Sequence, residues 1–97
     1  MSRWPRGHPR PMSIDVVHRP EHSRFEAAVD GDMAVLTYAR SGDSVEMLHT
    51  VVPVALERRG IGSALAAAAV GWARDEHLDV VPVCSFVRTW LERQESA

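Results

Sequence analysis

The sequence predicts an α/β fold in one domain: a mixed sheet of about five strands, mostly antiparallel with one parallel pair joined by a long helix, plus a short C-terminal helix. The chain has 97 residues, which is enough for one small domain and too few for two. Apolar and polar residues alternate from residue 13 to about residue 52, as in half-buried strands. After Gly60 the apolar period becomes helical and a short apolar run follows, which indicates a crossover between two parallel strands.

Four candidate strands precede the crossover, at residues 14–18, 24–29, 33–40 and 45–52. Turn sequences at residues 30–32 and 41–43 separate the last three and predict antiparallel hairpins. In the fourth strand His49 alternates with Met47 and Val51, so all three are expected on one face. Pro53 lacks an N–H donor, and regular pairing is expected to end there.

The second half begins with the longest predicted helix, residues 60–77, which is rich in alanine and repeats large apolar residues at helical spacing. Residues 80–84 then form a short apolar run that is typical of a central strand. A final helix at residues 85–93 is expected to turn Phe86 and Trp90 inward, with Val87 as a further candidate.

Composition excludes several classes of protein. Hydrophobic residues make up 45% of the chain and charged residues 25%, which predicts a folded, soluble domain. The longest weakly polar stretch, residues 61–73, is shorter than the about 20 apolar residues of a membrane span, so no membrane segment is expected. Cys84 is the only cysteine, which argues against a disulfide framework and a cysteine-rich zinc site; we expect no metal and a cytoplasmic location.

The first eleven residues are predicted to form a disordered, basic leader to a single domain at residues 12–97. They contain Arg3, Arg6 and Arg10, no acidic residue, and no apolar stretch of the kind that a secretory signal needs. Met12 is an alternative native start, and a basic arm that binds nucleic acid or a partner is a competing interpretation. Without these arginines the remaining 8 basic and 13 acidic residues give a charge of −5, so nucleic acid is not an expected partner.

The segment before the long helix carries the strongest chemical signal. Gly60 and Gly62 lie at a predicted helix N-terminus, where unpaired backbone N–H groups and the helix dipole attract an anion such as phosphate. The spacing matches neither a Walker loop nor a dinucleotide-binding fingerprint. Taken alone, the glycine pair is also compatible with a purely structural helix start.

Three motifs, in order along residues 22–91, resemble the short, single-domain branch of the GNAT acetyltransferase superfamily. They are His49-Thr50 on the fourth strand, a glycine-containing loop at residues 57–62, and Pro82-Val83-Cys84 at the end of the fifth strand. The loop departs from the family at Glu57, where glutamine or arginine is usual. Either Glu57 points to solvent while the two following arginines supply positive charge, or the affinity for acyl-CoA is reduced. The resemblance implies a GNAT-like sheet and an enzyme that uses acetyl-CoA.

The resemblance also implies how coenzyme A would bind. Its pyrophosphate would lie on the backbone N–H groups of residues 58–63, with added contacts from two arginines. The pantetheine arm would pair with the fourth strand where this strand bulges and separates from the fifth, at residues 51–53. The predicted coenzyme-binding residues are therefore Val51, Val52, Arg58, Arg59, Gly60, Ile61, Gly62 and Ser63.

Cys84 and His49 are the predicted catalytic residues. Larger family members commonly use a tyrosine on the last helix as the acid, but this chain has no tyrosine after Tyr38. We predict that His49 is the base, directly or through a water, and that Cys84 is either the acid for the leaving thiolate or a transient acyl carrier. An inert, buried Cys84 and a hydrogen-bonded core histidine at position 49 are the competing structural interpretations.

The sequence favours an acyl-CoA-dependent N-acetyltransferase that acts by direct transfer to an unidentified amine. A non-catalytic, CoA-binding or regulatory module is the main alternative, and a small interaction protein is a third. Glu46 is expected in solvent or as a remote group that attracts the amine, and Arg88 either on a solvated helix face or near a coenzyme phosphate. The acidic body slightly favours a cationic acceptor, and the chain is expected to be a monomer or a homodimer.

Overall fold

The computed structural model describes residues 14–96 of the chain. The elements follow the order β1 (Val16–Arg19), β2 (Arg24–Val29), β3 (Asp32–Ser41), β4 (Ser44–Val51), α1 (Ile61–Asp75), β5 (Asp79–Pro82) and α2 (Ser85–Ser96). Short 3-10 turns lie at Pro20–His22 and Val54–Leu56. The predicted leader at residues 1–11 and the alternative start at Met12 lie outside the described residues.

The five strands form one mixed sheet in the order β1-β2-β3-β4-β5. The pairs β1–β2, β2–β3 and β3–β4 are antiparallel. β4 and β5 pair parallel and are connected by α1, which confirms the predicted fold class. The expectation that residues 80–84 form a central strand is wrong. β5 lies at the edge of the sheet and ends at Pro82, and Val83 donates its N–H to the carbonyl of Val81, which turns the chain away from the sheet.

α1 packs along one face of the sheet and forms the core with it. Its buried side chains are mostly small, with Ala66, Ala69 and Ala73 fully buried, so the helix axis can approach the strands closely. Leu65 and Val70 are the larger residues that fill the space against β2, β3 and β4. The helix is shorter than predicted, beginning at Ile61 and ending at Asp75.

Four rings pack where β1, β2 and β3 meet the C-terminal half of α1. His18 stacks on Phe25 with ring centroids 4.1 Å apart, and its Nε2 lies 2.8 Å from the hydroxyl oxygen of Tyr38. Trp72 of α1 meets His18 edge-on at a centroid distance of 4.8 Å. We call His18, Phe25, Tyr38 and Trp72 the ring cluster; it joins three strands to the helix.

A β-bulge in β4 changes which face its later residues occupy. Tyr38 of β3 pairs with Met47, but the preceding residue, Thr37, pairs with His49, so Leu48 is the extra residue. The bulge reverses the alternation: Met47 is fully buried and His49 is exposed. The expectations that His49 shares a face with Met47 and that it is a core histidine are therefore wrong.

The same bulge marks the point where β4 and β5 separate. The parallel ladder ends at the pair Met47 and Pro82, although β4 continues to Val51 beside β3. The separation therefore begins at Leu48, several residues earlier than the family resemblance implied.

α2 begins directly after this separation and extends to Ser96, beyond the predicted end. Val87 is its fully buried residue, whereas Phe86 is 42% exposed, so the expectation that Phe86 faces inward is wrong. Cys84, just before the helix, donates its backbone N–H to the carbonyl of Met47 at 2.8 Å, which fixes the start of α2 against β4. None of the helices within residues 14–96 is long and apolar enough to cross a membrane.

Candidate functional site

A groove of about 450 Å³ lies at the N-terminus of α1, between the end of β4 and the start of α2. It is lined by Thr50, Val52, Leu56, Glu57, Arg58, Gly60, Ile61, Gly62, Ser63 and Phe86. The groove thus brings together six of the eight predicted binding residues. Thr50, Leu56 and Phe86 also line the groove, although they are not among the predicted binding residues.

The first turn of α1 presents backbone N–H groups to this groove. Gly60, the residue before the helix, has φ 79° and ψ 9°, a left-handed conformation that a residue with a Cβ adopts only with strain. The first helical hydrogen bond runs from the N–H of Ala64 to the carbonyl of Gly60, and no side chain of a described residue caps the helix. The N–H groups of residues 61–63 therefore remain available to an anion at the positive end of the helix dipole.

Phe86 crosses the first turn of α1 at Gly62. A Cβ built on Gly62 would lie 2.8 Å from Cζ of Phe86, so the ring occupies the space that any other residue would fill. Glycine inside a helix was the sequence signal for such a close approach, but it did not identify Phe86 as the partner.

The charged residues of the loop point in different directions. Glu57 and Arg58 are exposed and line the groove, and Arg58 has a positive φ of 64°. Arg59 is not among the lining residues; its Nη1 lies 2.8 Å from Oδ2 of Asp30, in the turn between β2 and β3. This ion pair connects the loop to the sheet. Arg58 is therefore the arginine of the loop that lines the groove.

Cys84 lies in the opening between β4 and β5. Its Sγ is 3.6 Å from Oγ1 of Thr50, which lines the groove. Burial raises the pKa of the Cys84 thiol, but hydrogen bonds with the backbone of Phe86, Val87 and Thr50 and with the Thr50 hydroxyl outweigh it. The pKa of Cys84 is therefore lower than its usual value.

His49 and Cys84 do not meet. Thr50 faces α1 and contacts Cys84, whereas its neighbour His49 faces the opposite side of the sheet, because successive side chains alternate along a strand. Glu46 and Val51 are exposed on that same side, which we call the open face, and Val51 therefore does not line the groove. The backbone of β4 separates the two predicted catalytic side chains.

A metal centre has no support in the described part of the chain. Residues 14–96 contain no group of three or more histidine, cysteine, aspartate or glutamate side chains arranged to hold a metal ion.

Comparisons with known proteins agree with this architecture. The family model for the GCN5-related N-acetyl-transferase matches residues 24–97. The chain is similar to Protein NATD1 of Xenopus tropicalis, with 34% identity over 83 residues that cover 82% of this chain and 76% of that protein. It is also similar to Protein NATD1 of Mus musculus, with 33% identity over 82 residues that cover 81% of this chain and 74% of that protein. Among solved structures it resembles a GCN5-like protein of Staphylococcus aureus determined by NMR, with a TM-score of 0.67 and 27% identity over 84% of this chain and 81% of that one.

Proposed function

Because the chain belongs to the GCN5-related N-acetyltransferase family, we propose that it transfers the acetyl group of acetyl-CoA to an amine by direct attack. One observation carries the proposal: the groove at the first turn of α1 leads to Thr50, which contacts Cys84 in the opening between β4 and β5. The proposed anion site and the thiol of Cys84 therefore lie along one path.

We propose that the groove binds the pyrophosphate and the pantetheine arm. The N-terminal N–H groups of α1 would bind the pyrophosphate, with Arg58 beside them. Beyond Met47, β4 no longer pairs with β5, so its backbone can bond the amides of an extended arm, and Val52 offers apolar contact. We propose that Arg59 supports this loop through Asp30 rather than through direct phosphate contact.

Acetyl-CoA supplies a thioester: when the amine nitrogen attacks its carbonyl carbon, a C–N bond forms, the C–S bond breaks, and one proton passes from nitrogen to the departing thiolate. We propose that His49 accepts the proton of the amine and that Cys84 donates a proton to the thiolate; solvent then removes the proton from His49 and returns one to Cys84, because the two side chains do not meet. The lowered pKa of Cys84 makes it a better acid than an ordinary thiol. In the alternative, Cys84 itself carries the acyl group and needs a base beside its thiol. His49 lies on the other side of β4 and does not supply that base, so we favour the role of Cys84 as an acid.

The position of His49 suggests where the acceptor binds. His49 and Glu46 share the open face, so an amine that approaches there meets a base and a carboxylate, while the thioester would lie on the side of Cys84. A carboxylate attracts a cationic amine, in agreement with the net negative charge of the chain. The single free cysteine agrees with a reducing, cytoplasmic setting, and a monomer or a homodimer would suffice for this site.

A non-catalytic module that binds coenzyme A is the second candidate, and Glu57 favours it. This carboxylate lines the groove close to the N–H groups that would bind phosphate, where like charge weakens binding. Such a module would bind the coenzyme without turnover.

The test measures binding and turnover separately in the wild type and three variants. Labelled acetyl-CoA is incubated with a panel of amines and peptides, and the dissociation constant of CoA is measured by calorimetry. His49→Ala and Cys84→Ala are expected to lower turnover by about 10²-fold or more with little change in CoA affinity, whereas His22→Ala, an exposed control, changes neither. If the protein binds CoA but neither transfers the acetyl group nor releases CoA from acetyl-CoA, the second candidate is favoured. No stabilisation at about 100 times a micromolar dissociation constant, where about 2.7 kcal/mol is expected, would contradict both candidates.

A further inference from the structure

Two arginines on the open face share one buried carboxylate. Glu26 of β2 is 7% exposed and points away from α1, because its neighbours Phe25 and Ala27 pack in the core. Its two carboxylate oxygens accept separate hydrogen bonds, from Nε of Arg24 at 2.6 Å and from Nε of Arg19 at 3.3 Å. The bond from Arg24 and the longer one from Arg19 hold the pKa of Glu26 below its usual range, although burial opposes them. We call Arg19 and Arg24 the arginine pair; with one ionised carboxylate between them, the two guanidinium groups leave an excess of positive charge.

The arginine pair keeps hydrogen-bond donors that Glu26 does not use. Each arginine contacts Glu26 through Nε, whereas a guanidinium has five N–H donors in a planar fork. The side chains of Arg19 and Arg24 are 47% and 41% exposed, and within residues 14–96 neither forms an ion pair with any other residue. Such a fork binds a carboxylate or a phosphate through two parallel hydrogen bonds. Glu26 therefore orients two guanidinium groups that can bind one more anion.

The strand register places the arginine pair in one row with His49. Arg19 of β1 lies opposite Arg24 of β2. Arg24 in turn lies opposite Thr37 of β3, and Thr37 lies opposite His49 of β4. Residues that lie directly opposite each other on neighbouring antiparallel strands present their side chains on the same face, so all four share the open face. Two strand spacings separate Arg24 from His49, which is about 10 Å.

We propose that the acceptor carries a carboxylate or a phosphate as well as its amine, and that the arginine pair binds this anionic group. The amine would lie at His49 and Glu46. The anion would lie about 10 Å away at the arginine pair, and the β3 side chain between them, Thr37, carries no charge. The row thus offers a carboxylate to the cationic end of the acceptor and guanidinium groups to its anionic end. This inference rests on the proposed transfer to an amine at His49, and it narrows the acceptor to an amino-acid-like molecule.

Arg40 provides a matched control on the other side of the sheet. It comes two residues after the buried Tyr38 of β3 and so faces the side of α1, where its Nη1 lies 3.8 Å from Oε1 of Glu76. Its side chain is 48% exposed, close to the value for Arg24. Arg40→Gln therefore removes the same charge and breaks a surface ion pair without touching the arginine pair. The comparison separates a local anion contact from a general charge effect.

The experiment compares three probes that share one amine and one alkyl chain: 6-aminohexanoate, 6-aminohexyl phosphate and 6-aminohexan-1-ol. Each is titrated, with and without CoA, into ¹⁵N-labelled protein, and its dissociation constant is measured from the amide shifts by NMR. For the wild type, at least one of the two acids is expected to bind about tenfold more tightly than the alcohol, with shifts at Arg24 that the alcohol does not cause. The acid that binds more tightly identifies the anionic group.

The variants assign this preference to residues. Arg24→Gln and Arg19→Gln are each expected to reduce the preference for the acid to about twofold or less, whereas Arg40→Gln is expected to keep it. Arg19 has the longer bond to Glu26, so Arg19→Gln keeps the test decisive if thermal midpoints show that Arg24→Gln destabilises the fold.

Two results would overturn the anion site. One is equal affinity of the wild type for the alcohol and for both acids; the other is a preference for the acid that the folded arginine variants retain. Acetyl transfer from acetyl-CoA is then measured with the same probes. Selective binding of an acid without transfer would support the anion site and count against the proposed enzyme, whereas transfer to all three probes with equal kcat/KM would support the enzyme and contradict the anion site.

Discussion

The two ends of α1 differ in how they are packed. At the C-terminal half, Trp72 joins the ring cluster with β1, β2 and β3, and side chains meet side chains at contact distance. At the N-terminal turn, the groove opens beside Phe86, and the backbone N–H groups face space that a ligand can enter. One helix therefore has a closed end and an open end.

The difference shows how a domain of this size can combine stability with a binding site. A small domain has few fully buried residues, and an open binding site reduces that number further. Here the large rings lie at the closed end, whereas the open end is formed by Gly60 and Gly62, by the ion pair of Arg59 with Asp30, and by the start of α2. We expect substitutions at the two ends to have different signatures.

The largest effect is expected at the closed end. Phe25→Ala removes a ring that is 3% exposed and is expected to lower the free energy of unfolding by about 3–5 kcal/mol. Val17→Ala, an exposed valine on β1, is the control and is expected to stay within about 0.5 kcal/mol. Urea denaturation measures both. CoA affinity of the folded protein is expected to change less than twofold, and a parallel loss of affinity would mean that the two ends are coupled.

A smaller effect is expected at the open end, where a substitution should change CoA affinity and leave stability nearly unchanged. Gly62→Ala places a methyl group 2.8 Å from Cζ of Phe86 and moves the ring into the groove, so CoA affinity is expected to fall about tenfold. The free energy of unfolding is expected to change by less than about 1 kcal/mol, because the tip of an exposed ring can move and alanine favours a helix.

Gly71 is the matched control within the same helix. A Cβ on Gly71 meets nothing within 4 Å, so Gly71→Ala is expected to stabilise the protein by up to about 1 kcal/mol and to leave CoA affinity unchanged. Restored affinity in the double variant Gly62→Ala, Phe86→Ala would show that the ring causes the loss. Equal CoA affinity of Gly62→Ala and Gly71→Ala would contradict the assigned groove.

The smallest effect is a pH dependence at the closed end. Burial holds the pKa of His18 below its usual value of 6.5, against the opposing effect of the Glu21 carboxylate. The unfolded chain then binds the proton more readily, so stability is highest above the unfolded pKa and decreases as the pH falls through 6.5 towards the folded pKa.

His18→Gln removes this proton uptake and is expected to flatten the decrease in stability between about pH 8 and pH 5. Denaturation at several pH values measures the slope, and His22→Gln, an exposed residue on the adjoining turn, is expected to keep it. A wild-type slope that His18→Gln leaves unchanged would assign the pH dependence to another group.

The sequence predicted those parts of the fold that depend on periodicity. The parallel crossover was visible because a period of two gives way to a helical one at Gly60, and the groove was predicted because Gly60 and Gly62 stand at that boundary. The resemblance to the acetyltransferase family is confirmed by the family match over residues 24–97.

The sequence did not predict those parts that depend on one extra residue or on distant contacts. Leu48 looks like any other strand residue, yet as the extra residue of a bulge it moves His49 from the core to the open face. The bond between His18 and Tyr38 joins residues 20 positions apart, and the contact of Phe86 with Gly62 joins two helices. Neither contact leaves a local pattern.

An NMR titration shows directly whether the open end of α1 is the coenzyme site. Uniformly ¹⁵N-labelled protein is titrated with CoA while the backbone amide resonances are followed by NMR. Saturable shifts are expected at residues 60–63 and at the start of α2, whereas residues 16–25 at the closed end are expected to be unchanged. Absence of shifts at saturating CoA, or shifts concentrated at residues 16–25, would contradict this assignment.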